Sequence, residues 1–199
     1  MAYKTFVNGA VLPASEINTY LMNQTVMVFA DATARDAALT SPTEGMMTYQ
    51  TLNDHYTIYN GTTWQKFDIA TAAYTPTLTN FTNSGTGAVT TGYYSRMGNW
   101  CTFNVYILLG STFSISGALN ISLPIAPTSI ARFHATGRGN PASTSYKLEA
   151  VGVTSTSTFN VYAIGSAGAY GTYNLTSATV PATWAAGNSL LITGTYEVA

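Results

Sequence analysis

The spacing of apolar residues changes character along this 199-residue chain. Near the start, Ile17, Tyr20 and Leu21 fall at i, i+3 and i+4. That stripe predicts a short helix over Glu16 to Gln24 with Ser15 as its N-cap. A helix so short needs a partner surface. Residues 25–30 (TVMVFA) are apolar and partly β-branched, as in a buried strand, and Asp31 to Leu39 reads as helical. Thr33 and Asp36 have capping-box spacing, with Asp in place of the usual Glu or Gln, and Pro42 and Gly45 end the element. From Met46 the period becomes two: Met47, Tyr49 and Thr51 alternate with other residues, Asn53-Asp54 offers a turn, and Tyr56 to Tyr59 resumes a strand. Asn60-Gly61 then predicts a type I′ hairpin, because both turn positions need positive φ, and Trp64 to Phe67 is the returning strand.

Asp68 to Thr75, rich in Ala and Thr, reads as a linker. Beyond it strand signals dominate: Ala88 to Met97, Trp100 to Leu109, Gly117 to Leu123, Ile130 to Thr136, Tyr146 to Val153, Thr158 to Ile164 and Ser189 to Val198. Gly, Asn, Pro, Ser and Thr fill the gaps at spacings that suit an antiparallel sandwich. The expected fold is therefore mainly β: a short N-terminal helix in an attachment segment (1–24), a small α/β meander unit (25–70), and a C-terminal antiparallel β-sandwich, jelly-roll-like, over 74–199.

Composition narrows the function classes. Hydrophobic residues make up 46% and aromatics 13%, so the chain has ample material for a core, yet only 8% of residues are charged. A surface so poor in charge must be covered with Thr, Ser, Asn and Gly, or buried against other subunits. Seven scattered Lys and Arg and a formal net charge of -1 argue against nucleic-acid binding. Cys101 is the single cysteine, which excludes an intrachain disulfide and reads as a buried strand thiol. The N-terminal residues lack the apolar core of a signal peptide, and no stretch has the roughly 20 apolar residues of a membrane span. Release from a cell would thus be by lysis.

Catalytic chemistry finds little to work with. His55 and His134 and eight dispersed carboxylates form no nucleophile–base or metal-ligand pattern, so the expectation is no enzyme, no metal and no cofactor. A glycosidase pair assembled by folding is the rival reading. Gly137-Arg138-Gly139-Asn140-Pro141 lacks the Lys-Ser/Thr of a phosphate loop and reads as a surface turn. Aromatic rings beside amides and hydroxyls suit carbohydrate, since a ring covers the C–H patches of a pyranose. Tyr170 and Tyr173, with Asn174, in a Gly-rich loop, and Trp184 in another, are the candidate receptor contacts; packing within the sandwich or between subunits is the alternative for these rings. Trp64 and Trp100, at strand starts, are expected in the core.

Two stretches carry a family resemblance. Residues 9–24 (GAVLPASEINTYLMNQ), with Arg35-Asp36-Ala37-Ala38, Pro42, Glu44-Gly45-Met46 and Ile58 to Trp64 (IYNGTTW), resemble the N-terminal segment of minor tail and tail-fibre-like proteins of tailed bacteriophages. Tyr94 to Trp100 (YSRMGNW), Leu123-Pro124, Trp184 to Asn188 and Gly194-Thr195-Tyr196-Glu197 are similar to their C-terminal sandwich domains. The resemblance implies a virion protein of the tail or another appendage, assembled in the host cytoplasm. It implies a homotrimer attached to other virion proteins through Ile17, Tyr20 and Leu21, with the sandwich recognising a host cell-surface glycan or protein. The alternative is a purely architectural baseplate, collar, head-fibre or decoration subunit. Neither reading involves nucleic acid or membrane insertion.

Overall fold

The computed structural model describes residues 5–22, 25–68, 70–128, 133–152, 157–167 and 170–198, with backbone alone at positions 19, 133, 134, 143, 166, 167, 170 and 171. The chain forms two compact units, residues 1–70 and 71–199. The fold is mainly β, with a short N-terminal helix. No helix among the described residues is long and apolar enough to cross a membrane.

In the first unit α1 spans Ala14–Tyr20. Pro13 occupies the N-cap position and no side chain caps the helix, so Ser15 lies inside the first turn, contrary to the expected cap. Proline's fixed φ suits a helix entry and it has no N–H to satisfy there. Strand β1 (Val26–Phe29) pairs in parallel with β2 (Met47–Gln50), and the crossover carries α2 (Ala32–Ala38). Asp31, not Thr33, caps α2, its carboxylate accepting the Ala34 N–H at 2.8 Å. Strand β1 is an edge strand and not the buried one expected, with Val26 and Val28 exposed. Strands β2, β3 (His55–Tyr59) and β4 (Trp64–Asp68) form an antiparallel meander.

The β3–β4 turn departs from the expected type I′ geometry. Tyr59 pairs with Trp64, which leaves a four-residue loop in which Gly61 has φ +90°. Asn60 holds the loop with its side chain, Oδ1 accepting the N–H groups of Thr62 and Thr63. Buried Arg35 ties α2 to this sheet: its guanidinium stacks 4.4 Å from the centre of the Trp64 ring and donates to Asp36 and to Thr57 Oγ1. Trp64 is thus a half-buried platform for a cation and not a core ring.

The second unit contains β5 (Ala72–Tyr74), β6 (Leu78–Thr82), β7 (Val89–Met97), β8 (Trp100–Leu108), β9 (Ser114–Ser122), β10 (Phe133–Gly139), β11 (Tyr146–Gly152), β12 (Thr158–Ala167), β13 (Tyr170–Leu175) and β14 (Ser189–Glu197). Strands β5, β6 and β13 lie in stretches whose sequence carried no clear strand signal, and β5 falls within the expected linker. Gly137, Arg138 and Gly139 belong to β10 and are not the surface turn expected; the chain turns later, at Pro141–Ser143.

Hydrogen bonding follows one path, β7-β8-β14-β10-β11-β12-β9-β6, with β5 added to β7 and β13 to β12. Strands β8 and β12 are four steps apart on it, about 19 Å on a flat sheet at about 4.8 Å per strand. Yet the rings of Phe103 on β8 and Phe159 on β12 have centroids 5.4 Å apart. The sheet must therefore roll so that its two halves face each other, as in a sandwich. Cys101, Phe103, Val105 and Ile107 of β8 meet Ile121, Leu148, Val161, Ile192 and Tyr196 in the enclosed core.

Candidate recognition surface

Because strand side chains alternate faces, burying the odd-numbered residues of β8 turns Trp100, Thr102, Asn104 and Tyr106 outward. Register then fixes their neighbours. Tyr106 stands opposite Leu191, Leu191 opposite Arg138, and Arg138 opposite Lys147, giving one outward row across β8, β14, β10 and β11. The next row runs Asn104, Thr193, Thr136, Glu149, Tyr162, Leu175. Asn104 Nδ2 donates to Thr193 Oγ1 at 3.1 Å, and the hydroxyls of Thr102 and Thr195 lie 3.0 Å apart.

A groove of about 410 Å³ opens on this face, lined by Tyr106, Arg138, Gly139, Asn140, Ser145, Ser189 and Leu191. A second hollow, of about 270 Å³, shares Arg138 and Leu191 and adds Thr136, Gly137 and Thr193. Asn140 Oδ1 accepts the Ser189 N–H and the Asn140 N–H donates to the Ser189 carbonyl, which clamps the groove floor.

Of the sequence-derived receptor residues, Tyr170, Tyr173 and Asn174 belong to β13, whereas Trp184 is buried. Tyr173 is 54% exposed and packs edge-on to Tyr162 with ring centroids 6.3 Å apart. Its hydroxyl is hydrogen-bonded to the Glu149 carboxylate, which is the main reason its phenol is shifted above the ordinary value. Tyr173 lies in a β12–β13 hairpin strand and not in a loop; it faces Ile164, whereas Asn174 faces Ala163. Adjacent strand residues point to opposite faces, so exposed Asn174 does not sit beside the Tyr173 ring as expected. Tyr170 begins β13 opposite Ala167, and its side chain is outside the described part.

Trp184 is a core residue, only 7% exposed. Its indole donates to the Val180 carbonyl at 3.3 Å, and its ring borders a small apolar void with Phe81, Leu109, Ile115, Leu119 and Leu190. The reverse correction applies to Trp100, which is 58% exposed opposite Met97, 65% exposed, at the tip of the β7–β8 hairpin. The alternation of WCTFNVYIL, with Cys, Phe, Val and Ile in phase, was the signal that Trp100 faces outward.

In α1, Ile17 and Tyr20 are half-buried, and Leu21 just beyond it is 43% exposed. Of the histidines, His55 is buried with its pKa lowered by desolvation and, secondarily, by the Lys66 charge. His134 lies in β10, with its side chain outside the described part. Among the described residues no group of three His, Cys, Asp or Glu side chains is placed to hold a metal ion.

No protein-family model matches the chain, and no curated protein does. Among solved structures, the chain is similar to the Dettilon tailspike protein (gp208). The likeness has a TM-score of 0.47 at 23% identity, covering 64% of this chain and 23% of the tailspike. The chain thus matches less than a quarter of that protein's length. The outward face itself presents hydroxyls, amides and tyrosine rings around Arg138 and Lys147.

Proposed function

We propose that this chain is a structural protein of a tailed-bacteriophage particle, working as a homotrimeric tail-fibre-like or receptor-binding subunit. Residues 1–24, through Ile17, Tyr20 and Leu21, join it to other virion proteins. The second unit meets the host surface and has no catalytic role. The observation that carries the recognition part is the outward face of β8, β14, β10 and β11, where Tyr106, Asn140 and Leu191 line a groove and Thr136 and Thr193 line the hollow that adjoins it. Such a face matches a saccharide, whose C–H patches lie on rings and whose hydroxyls exchange hydrogen bonds with amides and alcohols. The order of the phage-like N-terminal motifs supports the virion assignment.

The test is adsorption of purified, fluorescently labelled protein to a panel of bacterial strains, with native mass spectrometry for copy number. Binding to at least one strain by a trimer is expected. A stable monomer at micromolar concentration removes the trimer, and absence of binding to every strain favours an architectural subunit. That second reading has its own support in exposed Val26 and Val28 on an edge strand and exposed Met97 and Trp100 on a hairpin tip, all suited to subunit contacts.

A further inference from the structure

Of the seven Lys and Arg in the sequence, Arg138 and Lys147 are directly opposite each other in the β10–β11 pair. Both are exposed. Directly opposed strand residues have Cβ atoms about 4.5 to 5.5 Å apart, and like charges there are destabilising. A chain this sparing of charge has placed two cations where they repel, and one of them, Arg138, lines the groove of about 410 Å³. The carboxylate on the same face, Glu149, is hydrogen-bonded to Tyr173, two strands away on β13. We infer that the Arg138–Lys147 pair and the adjoining groove bind the anionic group of an acidic polysaccharide. This deepens, and rests on, the recognition reading above.

The other groove residues fit that ligand. Asn140 has its carbonyl oxygen engaged by the Ser189 N–H, so what it can offer a ligand is its amide N–H donors. Ser145 and Ser189 supply hydroxyls, and Tyr106 and Leu191 an apolar wall for the sugar ring. Arg138 can receive a carboxylate or phosphate in two parallel hydrogen bonds, and Lys147 adds a point charge beside it. A bound anion relieves the repulsion between the two opposed cations.

The test is affinity electrophoresis of the full chain through gels containing polygalacturonate, poly(glycerol phosphate), fully methyl-esterified polygalacturonate or dextran. Retardation by at least one polyanion is expected, weakening with added salt, with none in the two neutral polymers. Which polyanion retards the protein distinguishes a carboxylate from a phosphate source. Arg138→Gln with Lys147→Gln should weaken the interaction roughly tenfold or more without lowering the melting temperature, and the charge-preserving Arg138→Lys with Lys147→Arg should retain most of it. Should the Gln pair misfold, Leu191→Glu, at an exposed position between Tyr106 and Arg138, is expected to abolish retardation instead. The inference is overturned by a wild-type chain that no polyanion retards, by equal retardation in neutral polymers, or by folded charge-removing variants that migrate like wild type. Wild-type adsorption to cells is scored separately: adsorption without polyanion binding overturns this inference alone, and polyanion binding without adsorption to any strain counts against the recognition reading.

Discussion

The Tyr196 hydroxyl closes a two-way clamp on Ile125, donating to its carbonyl at 2.7 Å and accepting its N–H at 3.1 Å. The ring is buried against Phe103, and the segment it holds approaches the end of β14, where Thr128 donates to the Glu197 carbonyl. Tyr196→Phe removes both partners of Ile125 while leaving the ring in place. It should cost about 1 to 3 kcal/mol, the penalty for leaving polar groups unsatisfied, measured by urea unfolding of the full chain. An unchanged midpoint would mean that water replaces the hydroxyl.

Alkaline pH should weaken the second unit. The phenols of Tyr74 and Tyr196 are both held above their ordinary value, chiefly by burial. In the unfolded chain each ionises near pH 10, whereas the folded unit keeps them neutral. Their contribution is complete below that pH and declines as pH rises above it, because the unfolded state then binds fewer protons. Melting temperature should fall steadily above pH 10, and Tyr74→Phe should flatten the decline.

Acid pH acts on the first unit through His55. Its folded pKa is depressed, so its contribution is fully present above about 6.5, the unfolded value, and is lost as pH falls from there towards the folded value. An NMR titration should place the His55 pKa below that of a model peptide, and His55→Gln should reduce the loss of stability between neutral and mildly acid pH.

The two tryptophans should respond oppositely to truncation. Trp184→Ala empties a core site and should cost roughly 3 to 5 kcal/mol. Trp100→Ser changes an exposed ring and should leave monomer stability within about 0.5 kcal/mol. If the β7–β8 tip covers a neighbouring copy, Trp100→Ser should also loosen self-association in sedimentation experiments.

Gly137 and Gly194 admit a close approach between neighbouring strands. A Cβ at Gly137 would run into Ile192 and the Leu191 carbonyl, and one at Gly194 into Ala135. Gly137→Ala should therefore destabilise by about 1 to 3 kcal/mol through overpacking, detectable as a lower unfolding midpoint. The same loss is not expected at Gly87, where a Cβ meets nothing within 4 Å and only its φ of +81° is at stake.

The contrast between Trp100 and Trp184 also explains what was legible in the sequence. Long strands such as β8 and β14 are visible because inward-facing residues alternate along their nine residues, as Cys101, Phe103, Val105 and Ile107 do in β8 and Leu190, Ile192 and Tyr196 in β14. Trp184 sits outside any periodic element, so nothing local marks which way its ring turns; that depends on β6, β9 and β14 arriving around it. Strand β13 reads as a loop because Gly171, and Gly165 and Gly168 just before it, suppress the strand signal, and only pairing with β12 makes it a strand. The groove was hidden for a different reason. Tyr106, Leu191 and Arg138 come from three strands, with Lys147 beside them on a fourth, and their adjacency exists only through register, which residue spacing does not encode.

The place of β14 in the sheet constrains how the chain acquires its structure. Residues 189–197 insert between β8 and β10, strands formed much earlier in the sequence, with Glu197 pairing to Trp100. Until that segment leaves the ribosome, each neighbour has one unpaired edge. Contacts so distant in sequence form slowly, and open strand edges invite pairing between chains. Yield of native protein should thus depend on the rate of synthesis over residues 189–197 and on chaperone protection of the waiting edges. A ribosome stalled before Ser189 would display a half-built sheet whose readiest completing strand belongs to another molecule.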